Sequence, residues 1–570
     1  MKWTVQVNLP SDIPVVGVEI IPSVRVINPA LEDIPAHSFS FSWYRFLKRI
    51  ACSVHCDKLA TVQCACCARL NLQVEESYHC STSCFLNEWK NHLERHLRAA
   101  ETFNTNDGQE ARKTRSCGSW SAVVYEDAKR WEQEKEWMKV GSSKYYIPTM
   151  DDIGAILRLE YAAMDSKGSL FFPISTIQTK PVIVAPDSIS RCIIQCPLNG
   201  QSFNPKGHSS TDLTFSVLSY NILADMYASM GRHSYCPTWA LVWEYRRNKL
   251  LHEIIQYDAD IICLQEVQDV HFENFFKPEL TKCGYSAMYK KKTQPIYSKG
   301  QSTIDGCATF YRHKLFKEIM KYELEFGKTA SKLVEALEPH LIKDSYRLFK
   351  DNVALVAILE TPNNERTHDF FQSRICVANT HIFANIDCPD VKLFQVVKLV
   401  TGLEKIVDCQ IPLLICGDFN SLPSSDPHRF IVTGRCDPIS NGVEDPCGIF
   451  NHLKLCHSIP LVSAYASFLV TLGVEEQQKR MNTEANEPQF TNFTPWFSGT
   501  LDYIFYTADS LRVEGLLELV DRESLGAGIP STIWPSDHIA LMANFRLKPP
   551  TRFKRCSQPP PLDPWQIGSK

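Results

Sequence analysis

Six apolar segments between residues 214 and 547 each end or begin on a residue able to bind a metal ion or move a proton. Asn221 follows FSVLSY, Glu266 follows IICLQ, and His381 follows ICVANT. Asp418 and Asn420 close PLLICGDFN, Asp502 opens DYIFYT, and Asp537 and His538 precede IALMANF. One carboxylate at a strand end is an ordinary turn or cap residue. Six such positions imply convergence, because strands packed side by side bring their ends to one rim. Carboxylate and amide oxygens are hard ligands, suited to magnesium rather than zinc.

A second set of residues suits zinc. The pairs are Cys52 with His55 or Cys56, Cys64 with Cys67, Cys80 with Cys84, and His92 with His96. Thiolates and imidazoles paired two to four residues apart fit tetrahedral Zn2+. His92 and His96 lie four apart in NEWKNHLERHLRAA, so a helix would turn both to one side. Eight ligands imply two structural zinc ions, held in an interleaved way. No open position is left for catalysis.

The elements that position these residues are legible from periodicity. Residues 1–48 read as a β-rich segment, with VQVNL, VVGVEI and SVRVI broken by prolines. The Cys/His module occupies 50–100. Residues 101–211 read as a linker with short structured elements. One of these is TMDDIGAILRLEY, expected as a helix capped by Thr149 or Asp151. From 212 to 548 strands and helices alternate. FSVLSYNIL and ADIICLQEV are buried strands around a helix at WALVWEYRRNKLLHEIIQY. Further strands follow at ATFYR, NVALVAILE, RICVANTH, PLLICGDFN, LDYIFYT and HIALMANFRL. The Pro-rich tail, 549–570, is expected to be disordered.

Composition bounds the function. The 570 residues carry a net charge of −4, unlike a nonspecific nucleic-acid binder, so contact with nucleic acid must be local. Lys290-Lys291-Lys292 is one candidate patch. No apolar run reaches membrane-spanning length, and no membrane partner is expected. The N-terminus lacks the apolar core of a signal peptide, so the 22 cysteines are expected to be reduced thiols or metal ligands.

SYNIL, LQEV, NTH, GDFNSLP, LDYIF and SDH, in that order, resemble the endonuclease/exonuclease/phosphatase superfamily. The resemblance implies an α/β fold, a two-sheet sandwich with helices outside, preceded here by the small zinc module. The narrower likeness is to poly(A)-specific deadenylases of the carbon catabolite repressor type. It rests on Tyr235-Cys236-Pro237, Trp239, Trp243, Tyr245-Arg246-Arg247, Asp305-Gly306-Cys307-Ala308-Thr309-Phe310, Lys350-Asp351-Asn352 and Asp390-Val391-Lys392-Leu393. The segment CSVHCDKLATVQCACC with YHCSTSCF and HLERH resembles a MYND-type finger, as in the plant branch of that family.

The resemblance implies a Mg2+-dependent 3′-exoribonuclease that shortens mRNA poly(A) tails and releases 5′-AMP. Two Mg2+ ions, replaceable by Mn2+, would activate water and neutralise the phosphate. Glu266 would be the principal ligand of one ion, supported by Asn221. Asp418, Asn420 and Asp537 or His538 would serve the second or position the water, with Asp418 activating the nucleophile. His381 and His538 would donate to phosphate oxygens, and Asp502 would orient His538. Phe497 stands where the family places a base-stacking ring. Asn352, Lys350 and Arg312 are further candidate substrate contacts. The loop HIFANIDCPDVK has Ile386 where relatives often have proline.

The implied partners are single-stranded RNA with a 3′ poly(A) end and a second deadenylase of the carbon catabolite repressor–NOT complex, docked through the finger. Tail shortening implies the cytoplasm, with the nucleus as a second location. Two other readings keep the same residues: an NADP(H) 2′-phosphatase or 2′,5′-phosphodiesterase using Arg347, Lys350 and Lys292, and a non-catalytic scaffold recruited through the finger.

Overall fold

The computed structural model describes residues 4–27, 37–46, 52–55, 58, 60, 62–64, 77–88, 122–124, 137–165, 174–196, 213–298, 301–335, 345–362, 374–407, 411–548 and 561–565. The chain divides into two compact units, Met1–Pro186 and Asp187–Lys570.

In the first unit, strands Met138–Gly141, His37–Phe46, Ile156–Asp165 and Ser175–Pro181 form a four-stranded sheet in that order. The hairpin of Thr4–Asn8 and Ser23–Ile27 adds Val7 to a core built on Trp43, Leu157 and Leu159. The helix expected over TMDDIGAILRLEY is not formed. Only a single 3-10 turn, Met150–Asp152, is present, and Asp152 accepts from the Thr149 backbone N–H at 2.7 Å. The chain then extends, because Leu157 and Leu159 alternate with half-exposed Arg158 and Glu160. A period of two overrides the local helix propensity. Within the stretch read as a linker with short structured elements, Met138–Gly141, Ile156–Asp165 and Ser175–Pro181 are strands of this sheet.

The second unit contains β1 (Ile193–Gln195), β2 (Thr214–Asn221), β3 (Ile261–Gln268), β4 (Tyr285–Lys291), β5 (Asp305–Arg312), β6 (Lys317–Glu325), β7 (Val353–Glu360), β8 (Arg374–His381), β9 (Leu413–Asp418), β10 (Leu461–Ser463), β11 (Asp502–Thr507), β12 (Leu511–Leu517) and β13 (Leu541–Leu547). One sheet runs β1-β12-β13-β2-β3-β5-β4, the other β6-β7-β8-β9-β11-β10. Alternate side chains of each strand serve two cores. Val217, Ile261 and Cys263 of the first sheet meet Val377, Leu414 and Ile504 of the second. Leu218, Ile262 and Leu264 face outward onto Leu250 and Ile254 of helix α1 (Trp243–Tyr257). Val356, Ala378 and Ile415 pack on Phe394 and Val397 of α2 (Pro389–Val407) and Phe430 of α3 (Asp426–Thr433). The result is the four-layer α/β sandwich.

The helix expected from Trp239 to Tyr257 is broken at Val242. This residue is extended and accepts from the N–H groups of Tyr245 and Arg246, starting α1 afresh. The tail also departs from expectation at 561–565. Trp565 donates its ring N–H to the Lys398 carbonyl at 3.0 Å and lies so close to Gly402 that a Cβ there would come within 1.9 Å of it.

His271 lies flat on Trp243, ring centroids 3.6 Å apart. Burial, with the nearby Arg246 and Arg247, pushes its imidazole down to about 3. The unfolded chain therefore binds a proton that the native state refuses between about pH 3 and 6.5. The neutral ring stabilises the fold fully above about pH 6.5, and this is lost as pH falls, at about 1.4 kcal/mol per unit. His271→Phe is expected to remove up to about 2 kcal/mol of the stability difference between pH 7.5 and 5, read by urea titration at both values.

Candidate active site

Register places the sequence-identified residues together. His381, Asp418 and Asp502 are direct neighbours across β8, β9 and β11. Asn221 at the end of β2 pairs with Gln265 of β3, one residue before Glu266. Asn379 joins the sheets: its Nδ2 donates to the carbonyls of Leu264 (3.1 Å) and Ala308 (2.9 Å), and its Oδ1 accepts from Gln265 Nε2 (2.9 Å).

The backbone is strained where these residues turn. Leu223, Glu266 and Asn420 all have positive φ, at 55°, 59° and 46°. Such conformations cost on the order of 1–3 kcal/mol each and persist where surrounding structure imposes them. At Glu266 the β3–β5 register shifts between Leu264 and Val267, which re-aims the side chain. Gly417, at φ 145°, admits no side chain, since a Cβ would lie 1.9 Å from the Thr380 carbonyl oxygen.

Asn221 Nδ2 sits between two carboxylates, 3.2 Å from Glu266 Oε1 and 3.0 Å from Asp418 Oδ2. The Ala224 N–H donates to Glu266 Oε2 and the Asn420 N–H to Asp418 Oδ1, both at 2.8 Å. Asn420 Nδ2 donates to the Ile382 carbonyl at 2.9 Å. His538 Nδ1 lies 2.7 Å from Asp502 Oδ2, which also accepts from the Thr491 hydroxyl at 2.6 Å. The other imidazole nitrogen of His538 is 3.7 Å from Asp418 Oδ2, and His381 Nε2 is 3.5 Å from the same oxygen.

Electrostatics separates the two histidines. Burial, with Lys292 and His538 adding to it, holds His381 well below the usual imidazole range, so it is neutral. Burial would lower His538 too, but Asp502 and Asp418 more than reverse this, and the ring is held charged. The carboxylates are crowded. Burial raises Glu266, and the charges of Asp537 and Asp305 raise it further. Burial, with Asp502 close by, pushes Asp418 up to about 7. Asp537 is the exception: burial would raise it, but His233 and His538 bring it below the usual range.

These residues fit a divalent cation. Asp502 Oδ1 and Asp537 Oδ1 are buried with no hydrogen-bond partner among the described residues. Carboxylate oxygens of Asp418 and Asp502 lie within 4.8 Å of each other and of a His538 ring nitrogen. Buried carboxylates raised by mutual repulsion are stabilised by added positive charge.

The substrate candidates scatter. Phe497 is half-buried at the rim, its ring 3.0 Å from where a Cβ on Gly499 would stand, beside Leu422. Lys350 lies over the Phe383 ring at 4.7 Å, two residues beyond His381. Asn352 is buried, donating to the His381 carbonyl (3.0 Å) and accepting from Gln395 (3.2 Å), so its amide positions His381 rather than meeting solvent. Arg312 must be reassigned. It pairs with Asp258 and Asp260 at the end of β5 where β3 begins, opposite the Glu266 end.

Several contributors were not given these roles from sequence. His233 Nε2 is 4.0 Å from Asp537 Oδ2. Lys292 forms a buried ion pair with Asp305 at 2.7 Å, beside Tyr227. Arg246 is fully buried, and its Nη1 donates to the carbonyls of Ile222, Leu223 and Pro535. Asp305 and Arg246 lie in the motifs quoted above, but nothing local marks their roles. His233 carries no periodic signal at all.

In the first unit Cys52, His55, Cys80 and Cys84 converge. His55 Nδ1 is 3.7, 3.4 and 3.5 Å from the Cys52, Cys80 and Cys84 sulfurs, and the Cys52 and Cys84 sulfurs are 3.6 Å apart. A tetrahedron with bonds of about 2.1–2.3 Å has edges of roughly 3.4–3.8 Å, so the four atoms match one such site. Cys64 is buried on a short strand outside this group. Cys56, Cys67, His92 and His96 lie outside the described residues.

The chain belongs to the endonuclease/exonuclease/phosphatase family, whose sequence profile its residues 218–538 match. Over 97% of its length it is 44% identical to Carbon catabolite repressor protein 4 homolog 1 of Arabidopsis thaliana, spanning 99% of that protein. This places it among the carbon catabolite repressor 4 proteins. The CCR4-Not complex 3′-5′-exoribonuclease subunit Ccr4 of Saccharomyces cerevisiae is 36% identical, over 59% of this chain and 40% of that protein. Among solved structures, ANGEL2, a 2′,3′-cyclic phosphatase, aligns with a TM-score of 0.46 at 26% identity, covering 63% of this chain and 99% of that one.

Proposed function

We propose that this chain is a Mg2+-dependent 3′-5′ exoribonuclease that shortens poly(A) tails and releases 5′-AMP. The observation that carries this reading is the convergence of Glu266 and Asn221 from one sheet with His381, Asp418 and Asp502 from the other. The names of the similar exoribonuclease subunits support the RNA substrate. Two Mg2+ ions would supply the activated water and neutralise phosphate charge. Glu266 and Asn221 would hold one, and Asp418, Asn420 and Asp537 would hold the other. Charged His538, fixed by Asp502, donates to a non-bridging phosphate oxygen, where negative charge grows in the transition state. Neutral His381 donates a second hydrogen bond from its N–H.

The test uses the purified chain with 5′-labelled RNA ending in twenty adenosines, beside an A-free RNA and NADPH. The expected result is a ladder shrinking from the 3′ end, lost with chelator and lost in Glu266→Gln. Dephosphorylated NADPH with intact RNA would overturn the proposal.

The chain would act as a subunit of the carbon catabolite repressor–NOT complex, in the cytoplasm and also the nucleus. The Cys52–His55–Cys80–Cys84 group would hold one structural Zn2+, and the module would dock a second deadenylase subunit. Cys84→Ser is expected to lower the zinc released on denaturation, read with a colorimetric chelator. Unchanged zinc content would argue against the assignment.

A further inference from the structure

Trp496 is 70% exposed, yet it is not loosely held. It is the third residue of the turn Thr494–Phe497, with Pro495 presetting the turn. The Thr494 N–H donates to the Phe497 carbonyl at 2.8 Å, and the Phe497 N–H donates to Thr494 Oγ1 at 3.1 Å. Phe493, one residue earlier, donates its N–H to the Asp537 carbonyl at 3.1 Å. The turn is therefore fastened to the segment carrying Asp537 and His538.

The Trp496 ring meets Tyr235 edge-on, centroids 5.6 Å apart. Tyr235 meets His233 in the same manner at 6.0 Å, and its hydroxyl donates to the Ile529 carbonyl. His233 in turn faces Asp537. Three rings thus run in file from the reacting centre to solvent. Arg232, exposed beside His233, has its guanidinium 5.2 Å from the Tyr227 ring. Rings next to positive charge are what single-stranded nucleic acid requires: π-faces for bases and cations for phosphates. A lone exposed tryptophan needs no explanation. One on a turn fastened beside Asp537, at the end of a ring file from the reacting centre, does.

We propose that Trp496, backed by Tyr235, stacks on a base upstream of the scissile linkage, with Arg232, whose guanidinium stands over the Tyr227 ring, taking a backbone phosphate. This rests on the RNA reading above. An exonuclease working from the 3′ end leaves only the 5′ side of its substrate to extend beyond the centre, so the stacked base lies there. Phe497, turned toward Gly499 and Leu422, is left to the nucleotide at the centre.

The test is binding of fluorescein-labelled A12 to the full chain in EDTA, followed by anisotropy, so that turnover plays no part. Trp496→Ala is expected to raise Kd roughly tenfold, and Trp496→Phe to restore most of the affinity. Equal Kd values for wild type and Trp496→Ala would overturn the platform and leave the ring to a protein partner. If wild type binds A12 through Trp496 but shortens no RNA with Mg2+, the activity reading fails and the platform stands. If wild type does not bind A12 in EDTA yet shortens A-tailed RNA with Mg2+, the platform falls and the activity reading stands.

Discussion

Asp418→Asn is expected to lower single-turnover RNA shortening roughly 1,000-fold while leaving the protein as stable as wild type, or more stable. The two effects have one cause. Asp418 faces Asn221, His381, His538 and the Asn420 N–H, and Asp502 adds a second buried negative charge. The carboxylate's charge is what a cation and an attacking water need, and it is also what burial and Asp502 oppose. Asparagine keeps the shape and removes the charge. Mg2+ should therefore raise the melting temperature of wild type by more than that of the variant. Equal activity in the two proteins would remove Asp418 from the chemistry. A variant that fails to fold would show instead that the charge is structural.

Arg246→Leu is expected to destabilise the second unit by roughly 3–5 kcal/mol and to reduce activity further than the unfolded fraction explains. Arg246 is wholly buried, and burial lowers its guanidinium, although Asp225 and Asp537 favour the charge. Its Nη1 lies 2.9–3.2 Å from the carbonyls of Leu223, Pro535 and Ile222, and its Nε is 3.3 Å from that of Leu241. Leucine would leave these carbonyls buried without donors, at about 1–3 kcal/mol each if none finds water. Two of them follow Asn221, and one precedes Asp537 by two residues and His538 by three. Loss of the guanidinium therefore frees both loops that frame the site. Lysine should not restore activity, because one ammonium cannot reproduce the planar fork. Urea titration and kcat measured on the same samples separate the two effects.

The rim of strand ends was legible because buried strands read as continuous apolar runs, so a terminal carboxylate stands out against them. Which end of a strand it occupies is less legible. Arg312 ends β5 and Glu266 lies two residues from the end of β3, but those strands are antiparallel, and the two residues stand on opposite rims. The Lys290–Lys292 run looked like a basic patch because its neutralising partners are distant in sequence. Glu323 and Glu325 pair with Lys290, and Asp305 with Lys292. ILRLEY satisfied helical spacing and strand alternation alike, and only the neighbouring strands decided between them. His233 and Trp496 gain meaning solely from tertiary neighbours, so no local pattern could mark them.

Asn379 gives the site a property that no single ligand has. The donor atoms come in two halves, one from each sheet, and this amide is a rivet through the seam behind them. Small parting of the sheets would pull Glu266 away from Asp418 before any strand is lost. The reacting centre is therefore also a gauge of how tightly the two halves of the sandwich are closed.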